Sequence, residues 1–373
     1  MDALMLPLNW QRVRLGDIGK PCMCKRVMKH QTTRYGEIPF YKIGTFGNTA
    51  DTFISKKLFL EYKTKYSFPK KGDVLISASG TIGRAVIYDG KPAYFQDSNI
   101  VWIDNDETLV KNDFLFYAYS NVKWNTEHTT ILRLYNDNFR NTLIPLPPLN
   151  EQNAIANILS ALDRYLCTLD ALILKKEGVK KALSFELLSQ RKRLKGFNQA
   201  WQRVRLGDIA NYLTSNLSAE QITQQGKIKV YDVNNFIGYT DTTFISDKPY
   251  ISIVKDGSVG RVRILPPKTN ILSTMGALIA NHRTTTEFLF YLLSNFDFKN
   301  FTSGSIIPHI YFKDYKEKTI FLPPLNEQSA IANILSALDN EITSLKNKKR
   351  QFENIKKALN HDLMSVKIRV LKK

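Results

Sequence analysis

The chain has little cysteine and shows no pattern of a membrane-spanning or exported protein. Its 373 residues include only three cysteines, Cys22, Cys24 and Cys167, an odd number without the spacing of a disulfide framework. No uninterrupted apolar run approaches the roughly 18 residues that a bilayer-spanning helix needs. The first residues lack a basic region followed by an apolar one, so we expect no secretion signal. These absences predict a protein of the reducing cytoplasm.

Patterns for metal and cofactor binding are also missing. The pair Cys22 and Cys24 would need further ligands, and the five histidines form no HxxxH pair, so we expect no metal site. The sequence has no GxxxxGK[ST] loop, no GxGxxG after a strand and no Asn-Pro-Pro-aromatic segment. We therefore expect neither ATP hydrolysis nor S-adenosylmethionine chemistry on this chain.

Two acidic-x-Lys triplets, at 61–63 and 314–316, resemble part of a nuclease site. Such triplets arise often by chance. Neither triplet has a counterpart in the other half of the repeated sequence described below, although a twofold molecule that cut DNA would need the site in both halves. We therefore predict no catalytic residues.

Positive charge is what the sequence has in excess. There are 53 Lys and Arg residues against 34 Asp and Glu, for a net charge of +19. The excess is present in segments 1–150, 151–200, 201–325 and 326–373, rather than in a tail. A basic surface spread in this way is typical of a protein that lies along a polyanion. The simpler alternative is a basic protein with lysine-rich helix faces.

Two repeats divide the chain into similar halves. Residues 146–163 read LPPLNEQNAIANILSALD, and residues 322–339 repeat them with one difference. The segment WQRVRLGDI occurs at 10–18 and again at 201–209. The order is therefore globular unit, helix, globular unit, helix. This order predicts a pseudo-twofold internal repeat that presents two related surfaces.

Each long repeat begins a predicted helix. A Pro-Pro pair ends the preceding element, Asn150 can cap the helix, and Glu151 lies in its first turn. From Ile155 onward, mostly apolar residues recur at alternating steps of four and three, and the second copy keeps this spacing. Such a heptad requires a partner helix, and the connectivity predicts that the two copies pair antiparallel. Gly178 marks either a bend or a tolerated surface glycine.

The two globular units share a skeleton of short apolar strands separated by Gly, Asn and Asp turns, but their loops differ. We predict an α/β (α+β) fold in which two globular domains are joined by a pair of long antiparallel, coiled-coil-like helices. The predicted domains are 1–149 and 196–325, and the predicted helical spacers are 150–195 and 326–373. A fixed frame with divergent loops is typical of a recognition module.

Candidate DNA-binding residues lie in these loops. Both units contain a strand, a glycine turn and a second strand, at 73–84 and 253–261. The glycines favour a turn that needs positive φ over a phosphate cradle, whereas their polar neighbours can donate to phosphates or base edges. His309 either packs or reads a base. The predicted DNA-binding residues are Lys42, Thr45, Asn48, Ser79, Thr81, Arg84, Thr129, Thr130, Arg133, Asn234, Asn235, Ser258, Arg261, Arg263, Ser303, Ser305 and His309.

The repeat LPPLNEQxAIANILSALD, with GFNxxWQxVRLGDIA at 196–210, resembles the specificity subunit of type I restriction–modification systems. The resemblance covers the whole chain. It implies two target-recognition domains, each reading half of a bipartite site in double-stranded DNA, and helical spacers that hold them apart and dock two methyltransferase subunits. Restriction subunits join through these partners. Catalysis, S-adenosylmethionine, ATP and Mg belong to the partners, and the chain itself is implied to be non-catalytic without cofactors.

The repeated helix starts are predicted to dock the partners, because identical partners need matching surfaces. Glu151 and Glu327 are expected to be surface charges there. The open alternative is that the repeat builds only the internal coil and the join to each domain. The predicted docking residues are Asn150, Glu151, Gln152, Asn326, Glu327 and Gln328.

Two other functions stay open at this point. One is a type IIB-like or stand-alone DNA-binding subunit without a translocase partner. The other is a basic helical scaffold on membranes or RNA. The heptad helices lack lipid-facing aromatics, and RNA-binding aromatic signatures are missing, which disfavours this scaffold.

Overall fold

The computed structural model describes residues 9–128, 132–233 and 235–370. Its contacts divide the chain into two units: unit 1 is Met1–Thr168 with Lys348–Lys373, and unit 2 is Leu169–Asn347. Each unit contains one globular domain, part of one long helix and part of the other. The predicted domain and spacer boundaries follow the repeated segments rather than contacts, and they stay predictions.

The first domain, which precedes the long helix of unit 1, is built from short strands and short helices. Its strands are β1 (Gln11–Arg14), β2 (Gly19–Met23), β3 (Ile38–Tyr41), β4 (Phe53–Ile54), β5 (Val74–Ser77), β6 (Ala85–Ile87), β7 (Tyr94–Phe95), β8 (Ile100–Asn105), β9 (Glu127–His128), β10 (Leu132–Arg133) and β11 (Leu143–Leu146). Its helices are α1 (Leu15–Ile18), α2 (Lys56–Lys65), α3 (Asn112–Tyr119) and α4 (Asn136–Asn141).

The strands of the first domain form two main sheets. The first is antiparallel, in the order β2-β8-β5-β6, and the second has the order β4-β3-β7, with β3 and β7 parallel. Strand β1 pairs with β11, and β9 pairs with β10. Helix α3 packs Phe114 and Leu115 into a core with Ile76 of the first sheet and Leu159 of the long helix. Burial of each such side chain contributes about 1.5–3 kcal/mol.

The second domain repeats this plan within unit 2. Its strands are β12 (Gln202–Arg205), β13 (Ala210–Thr214), β14 (Ile228–Tyr231), β15 (Phe236–Thr240), β16 (Tyr250–Val254), β17 (Val262–Leu265), β18 (Thr269–Ile271), β19 (Met275–Ala280), β20 (Thr302–Ser303), β21 (His309–Ile310) and β22 (Thr319–Leu322). Its helices are α6 (Thr286–Ser294) and α7 (Phe312–Tyr315).

The sheets of the second domain have the same order as those of the first, β13-β19-β16-β17 and β15-β14-β18, with β12 on β22 and β20 on β21. The parallel pair is again the equivalent one, β14 with β18. Two short helices of the first domain have no α-helical counterpart in the second. Residues 206–208 form a 3-10 helix at the position of α1, and residues 241–249 between β15 and β16 form no helix at the position of α2. This is where the second half of the sequence is shorter.

Two long helices of 40 residues, α5 (Leu149–Leu188) and α8 (Leu325–Met364), begin at the repeated sequence, as predicted. Helix α5 starts one residue before the predicted cap Asn150, whose Oδ1 accepts a 2.9 Å hydrogen bond from the N–H of Glu151. Gly178 is exposed, with open space where a Cβ would lie, which favours the tolerated surface glycine.

Within each unit the two helices pair antiparallel, as the heptad predicts. In unit 1, Tyr165 of α5 packs on Phe352 of α8, with ring centroids 4.8 Å apart, and Asp163 pairs with Lys356. In unit 2, Lys176 and Lys180 of α5 pair with Glu341 and Asp339 of α8 at 2.8 and 2.5 Å. The predicted heptad positions, 155 to 187 in α5 and 331 to 363 in α8, are all buried or half-buried.

Cys24 is a buried thiol of the first domain's core. Desolvation raises its pKa to about 12, so the thiol stays protonated. In the part of the chain that the structure describes, no three His, Cys, Asp or Glu side chains gather as a metal site would require. No helix among the same residues has the length and apolar character needed to cross a membrane.

Candidate nucleic-acid interface

The glycine turn of the first domain joins β5 to β6. Gly80 and Gly83 have φ of +66° and +81°, the left-handed region that favours glycine. The Gly83 N–H donates to the carbonyl of Ser77 at 2.9 Å, and a Cβ on Gly83 would lie 2.1 Å from Nε1 of Trp124. The turn therefore needs glycine for both its backbone angle and its close contact.

The glycine turn of the second domain joins β16 to β17 with the same hydrogen bonds. Gly257 and Gly260 have φ of +83° and +81°, and the Gly260 N–H donates to the carbonyl of Val254 at 2.9 Å. A Cβ on Gly260 would lie 2.6 Å from the ring of Phe298. In both turns the second glycine packs on an aromatic ring and uses its N–H internally. This geometry favours the turn requirement over the phosphate cradle.

In the first domain, an oriented arginine of β10 lies against the glycine turn. Ser79 pairs with Arg133 in an isolated antiparallel bridge, and its Oγ donates to Oδ1 of Asn99 at 2.8 Å. Arg133 donates to the same Oδ1 at 3.1 Å and to the carbonyl of Ser98 at 3.4 Å. Three parts of the chain that are distant in sequence thus hold one half-buried guanidinium in place.

A second loop of the first domain lies beside this turn. Arg84 donates from Nη1 to the carbonyl of Phe46 at 3.1 Å, which brings it next to the predicted residues Thr45 and Asn48. Lys42 forms a 2.9 Å ion pair with the exposed Asp51. The structure therefore groups those predicted residues of this domain that it describes around one surface, on which Asn48, Thr81 and Arg84 are exposed.

In the second domain, the equivalent bridge joins Asp256 to His309. The His309 ring nitrogen Nδ1 lies 2.7 Å from Oδ1 of Asp256, and about a third of each side chain is exposed. His309 also opposes Ser303 across the β20–β21 pair. Arg133 and His309 therefore occupy equivalent positions of the two domains, each 13 residues before the long repeat and each bridged to the glycine turn.

Other predicted residues of the second domain lie in two places. Ser258 and Arg261 are exposed in the glycine turn, and Ser305 is exposed beyond Ser303. Asn235 lies in the β14–β15 hairpin instead, where its N–H donates to Asp232 at 2.7 Å. Arg263 is in β17, and its guanidinium carbon lies 5.2 Å above the ring of Tyr231 in β14. Thr129, Thr130 and Asn234 lie outside the described residues.

The start of α5 is fastened to the first domain by a buried carboxylate, which we call the first junction (Trp10, Glu151, Arg369). Glu151 is 1% exposed. It accepts hydrogen bonds from Nε1 of Trp10 at 3.0 Å and from two nitrogens of Arg369 at 3.1 and 2.8 Å. Gln152 is equally buried and binds the backbone of Leu109 and Lys111.

The start of α8 has the same arrangement, the second junction (Trp201, Glu327, Arg193). Glu327 is fully buried and accepts from Nε1 of Trp201 at 2.9 Å and from two nitrogens of Arg193 at 3.1 and 2.6 Å. Gln328, also fully buried, accepts from the N–H of Thr285 at 3.0 Å.

The prediction that Glu151 and Glu327 are surface charges is wrong. Both carboxylates, with Gln152 and Gln328, are enclosed between the helix start and the domain, so these four side chains are not available for direct contact with a partner. An arginine beyond the end of the other long helix neutralises each carboxylate. Asn150 and Asn326 remain exposed.

A further pair of equivalent contacts was missed from the sequence. In unit 1 the hydroxyl of Tyr117 donates to Asp163 at 2.7 Å, and in unit 2 that of Tyr291 donates to Asp339 at 2.9 Å. Each aspartate also pairs with a lysine, Lys356 or Lys180. Burial and the neighbouring carboxylate raise the pKa of both tyrosines, so both hydroxyls stay protonated donors. The available signal was the segment FLFY, which occurs at 114–117 and again at 288–291, together with the Asp that ends each long repeat.

Known proteins match the chain along its length. A family model of the type I restriction modification DNA specificity domain matches residues 7–176 and 198–354. A protein of Haemophilus influenzae named as a type I restriction enzyme specificity subunit, S.HindORF215P, is 62% identical over 148 residues, 39% of this chain and 38% of that protein. The MjaVIII specificity subunit of Methanocaldococcus jannaschii is 25% identical over an alignment of 414 residues that spans 99% of this chain and 95% of that protein.

The same fold occurs in a solved structure. The type I restriction–modification system S subunit from M. genitalium superposes with a TM-score of 0.64, at 20% identity and over 97% of each chain. The two domains and the long helices described above are therefore an architecture that known proteins share.

Proposed function

Because the chain belongs to the family of type I restriction–modification specificity subunits, we propose that its two domains read the two unlike halves of a bipartite DNA target. One observation carries this proposal. The same hydrogen-bonded frame presents different side chains at equivalent positions, Ser79 and Arg133 in the first domain and Asp256 and His309 in the second. Two different sets of donors and acceptors select different base edges.

The chemistry of each position fits base reading. The guanidinium of Arg133 is oriented by two oxygens, and an arginine held in this way suits the two acceptors of guanine in the major groove. When Asp256 is ionised, its carboxylate accepts hydrogen bonds and donates none. The His309 ring can donate or accept a hydrogen bond according to its tautomer. Exposed cations beside the turns, such as Arg84 and Arg261, suit the phosphates that position a protein on the duplex.

We also propose that the long helices set the gap between the half-sites. The junctions and the Tyr–Asp–Lys contacts support this, because they fasten each domain to helix residues by several hydrogen bonds. Four residues inserted into both helices at 171 and 347 lengthen each by about 6 Å. We expect the gap to grow by one to two base pairs, since base pairs rise by about 3.4 Å.

The outward face of each repeated helix start is the proposed docking surface for a methyltransferase subunit. Asn150, Asn157 and Ala161 are exposed and have identical, exposed copies in α8. Internal packing explains why Glu, Gln and Asp are repeated, because those side chains are bound inside each unit. It does not explain these repeated Asn and Ala residues, which are exposed. Two identical partners require two identical surfaces. The copies in α8 are Asn326, Asn333 and Ala337.

Restriction subunits then join through the methyltransferases, and those partners carry S-adenosylmethionine, ATP and Mg. The chain itself supplies recognition and no catalysis. A type IIB-like or stand-alone complex without a translocase has the same recognition chemistry. The cytoplasmic location stays a prediction.

A domain exchange tests the reading proposal. The chain is co-expressed with its methyltransferase, and methylated sites are mapped by sequencing. Replacing residues 20–145 by those of a family member with another target should change one half-site and leave the other. The matched exchange of residues 211–321 should do the reverse. If either exchange alters both halves, the domains do not read independently.

Native mass spectrometry of the co-expressed complex tests docking. We expect two methyltransferases per chain. Bulky, charged substitutions on the outward face, Ala161→Glu or Ala337→Glu, should each remove one. A complex that keeps both partners in both variants would contradict this assignment.

A further inference from the structure

The hairpin formed by β20 and β21 ends in an apolar tip that the second domain does not bury. Ile306 is 92% exposed and Ile307 is 54% exposed. The hairpin is closed tightly: Gly304 has φ of +90°, and a Cβ there would lie 2.3 Å from the carbonyl oxygen of Ile307. The backbone therefore presents both isoleucines outward from a short, defined turn.

The fold gains nothing from this arrangement. Burying an isoleucine contributes free energy, so a side chain left in water forgoes it. A single exposed apolar side chain is ordinary, but here two adjacent isoleucines are followed closely by Tyr311, which is 50% exposed. A small apolar patch at the end of a recognition loop indicates contact with an apolar group of the bound molecule.

The position of the tip points to DNA as that molecule. The same hairpin carries His309, which lies 2.7 Å from Asp256 at the equivalent of the Arg133 position. The glycine turn is attached to it, since the N–H of Gly257 donates to the carbonyl of Pro308 at 2.9 Å. Exposed cations lie in the segments joined to this hairpin: Arg261 in the glycine turn, and Lys313 just after β21, whose Nζ lies 5.5 Å from the ring centroid of Tyr311. The surroundings thus suit a polyanion.

We propose that Ile306 and Ile307 contact the C5-methyl group of a thymine in the half-site read by the second domain, an inference that rests on the proposed function. In the major groove, thymine is the base that presents an apolar group, whereas the other bases offer only donors and acceptors there. The equivalent sequence positions of the first domain hold Thr130 and Ile131, so the more apolar pair belongs to the second domain. His309 and Asp256 then read polar edges beside this methyl group.

The test removes the methyl group from the DNA and the isoleucines from the protein in turn. The second domain's half-site is the one that persists when residues 20–145 are exchanged. Each thymine in it is replaced by deoxyuridine, which lacks only the C5-methyl, and binding of the chain–methyltransferase complex is measured. We expect one replacement to weaken binding about fourfold, the effect of one buried carbon group. The double variant Ile306→Ala, Ile307→Ala should bind both duplexes equally.

Two controls make the result specific. Leu174→Ala removes a side chain that is 71% exposed on α5, and this variant should keep the full response to deoxyuridine. Deoxyuridine in the other half-site should affect the native complex and the double variant alike. The milder variant Ile306→Thr should show an intermediate response.

Two results would overturn the inference. One is a second half-site without thymine on either strand. The other is an equal response to deoxyuridine in the native complex and in the double variant. A methylation pattern that is not bipartite would instead refute the proposed function, and the contact would fall with it.

Discussion

The two glycine turns and the two junctions at the helix starts differ in what the repeat has kept. At the junctions, both copies have the same chemistry: a Trp N–H and an Arg guanidinium on a buried carboxylate. At the glycine turns, both copies keep the glycines and their backbone hydrogen bonds, but the residues bridged to the turns differ, Arg133 in one domain and His309 in the other. The two junctions therefore share one chemistry, whereas the two glycine turns, which we propose to meet DNA, lie against different side chains.

The largest expected effect is one that both domains share. If phosphate contacts supply most of the affinity, raising salt from about 50 to 200 mM should weaken binding of the complex to its target by about a thousandfold or more. Filter binding or fluorescence anisotropy at several salt concentrations measures this. Affinity that stays constant over the range would contradict an interface based on the +19 charge.

Removing the buried carboxylate of either junction should lower the free energy of unfolding by the same amount. Glu151→Ala and Glu327→Ala each leave a buried Trp N–H without its acceptor, so each should lower the free energy of unfolding by about 2–3 kcal/mol. Urea unfolding of the purified chain measures the loss. Glu353→Ala, which removes a half-exposed carboxylate of α8, is the control and should have no measurable effect. Clearly unequal losses would show that the junctions are not equivalent.

Changing the equivalent side chains should have separate consequences. Arg133→Ala and His309→Ala should each weaken binding by about 1–3 kcal/mol and relax preference at a base pair of one half-site only. Binding to a library of single-base variants of the target reveals which half is affected. If both substitutions relax the same half-site, the assignment of one domain to each half is refuted.

The smallest expected effect concerns the matched cations of the two turns. Arg84→Ala and Arg261→Ala each remove one exposed guanidinium beside a glycine turn. Each should reduce the salt slope of binding by about 1 without altering base preference. The same library used for Arg133 provides the check. A changed base preference in either variant would indicate that the arginine reads a base rather than contacting a phosphate.

Several features were predictable because they depend on neighbours in the sequence. The heptad of α5 and α8 is a local pattern, and all its predicted positions are buried or half-buried. The glycine turns were predictable for the same reason, since a strand, a glycine pair and a strand determine a tight turn. The roles of individual loop residues could not be predicted in this way. Lys42 and Asn235 lie in different loops, and sequence spacing does not say which of them borders a glycine turn.

By itself, the sequence determined that the protein has two like halves, that long paired helices follow each domain, and that the surface is basic. Repeats, heptads and charge can all be recognised from the order and types of the residues. Only the tertiary structure decided that Glu151 and Glu327 are interior residues. Their partners, Trp10 with Arg369 and Trp201 with Arg193, lie more than a hundred residues away. A carboxylate is stable inside a protein only when such partners surround it, and folding is what brings them together.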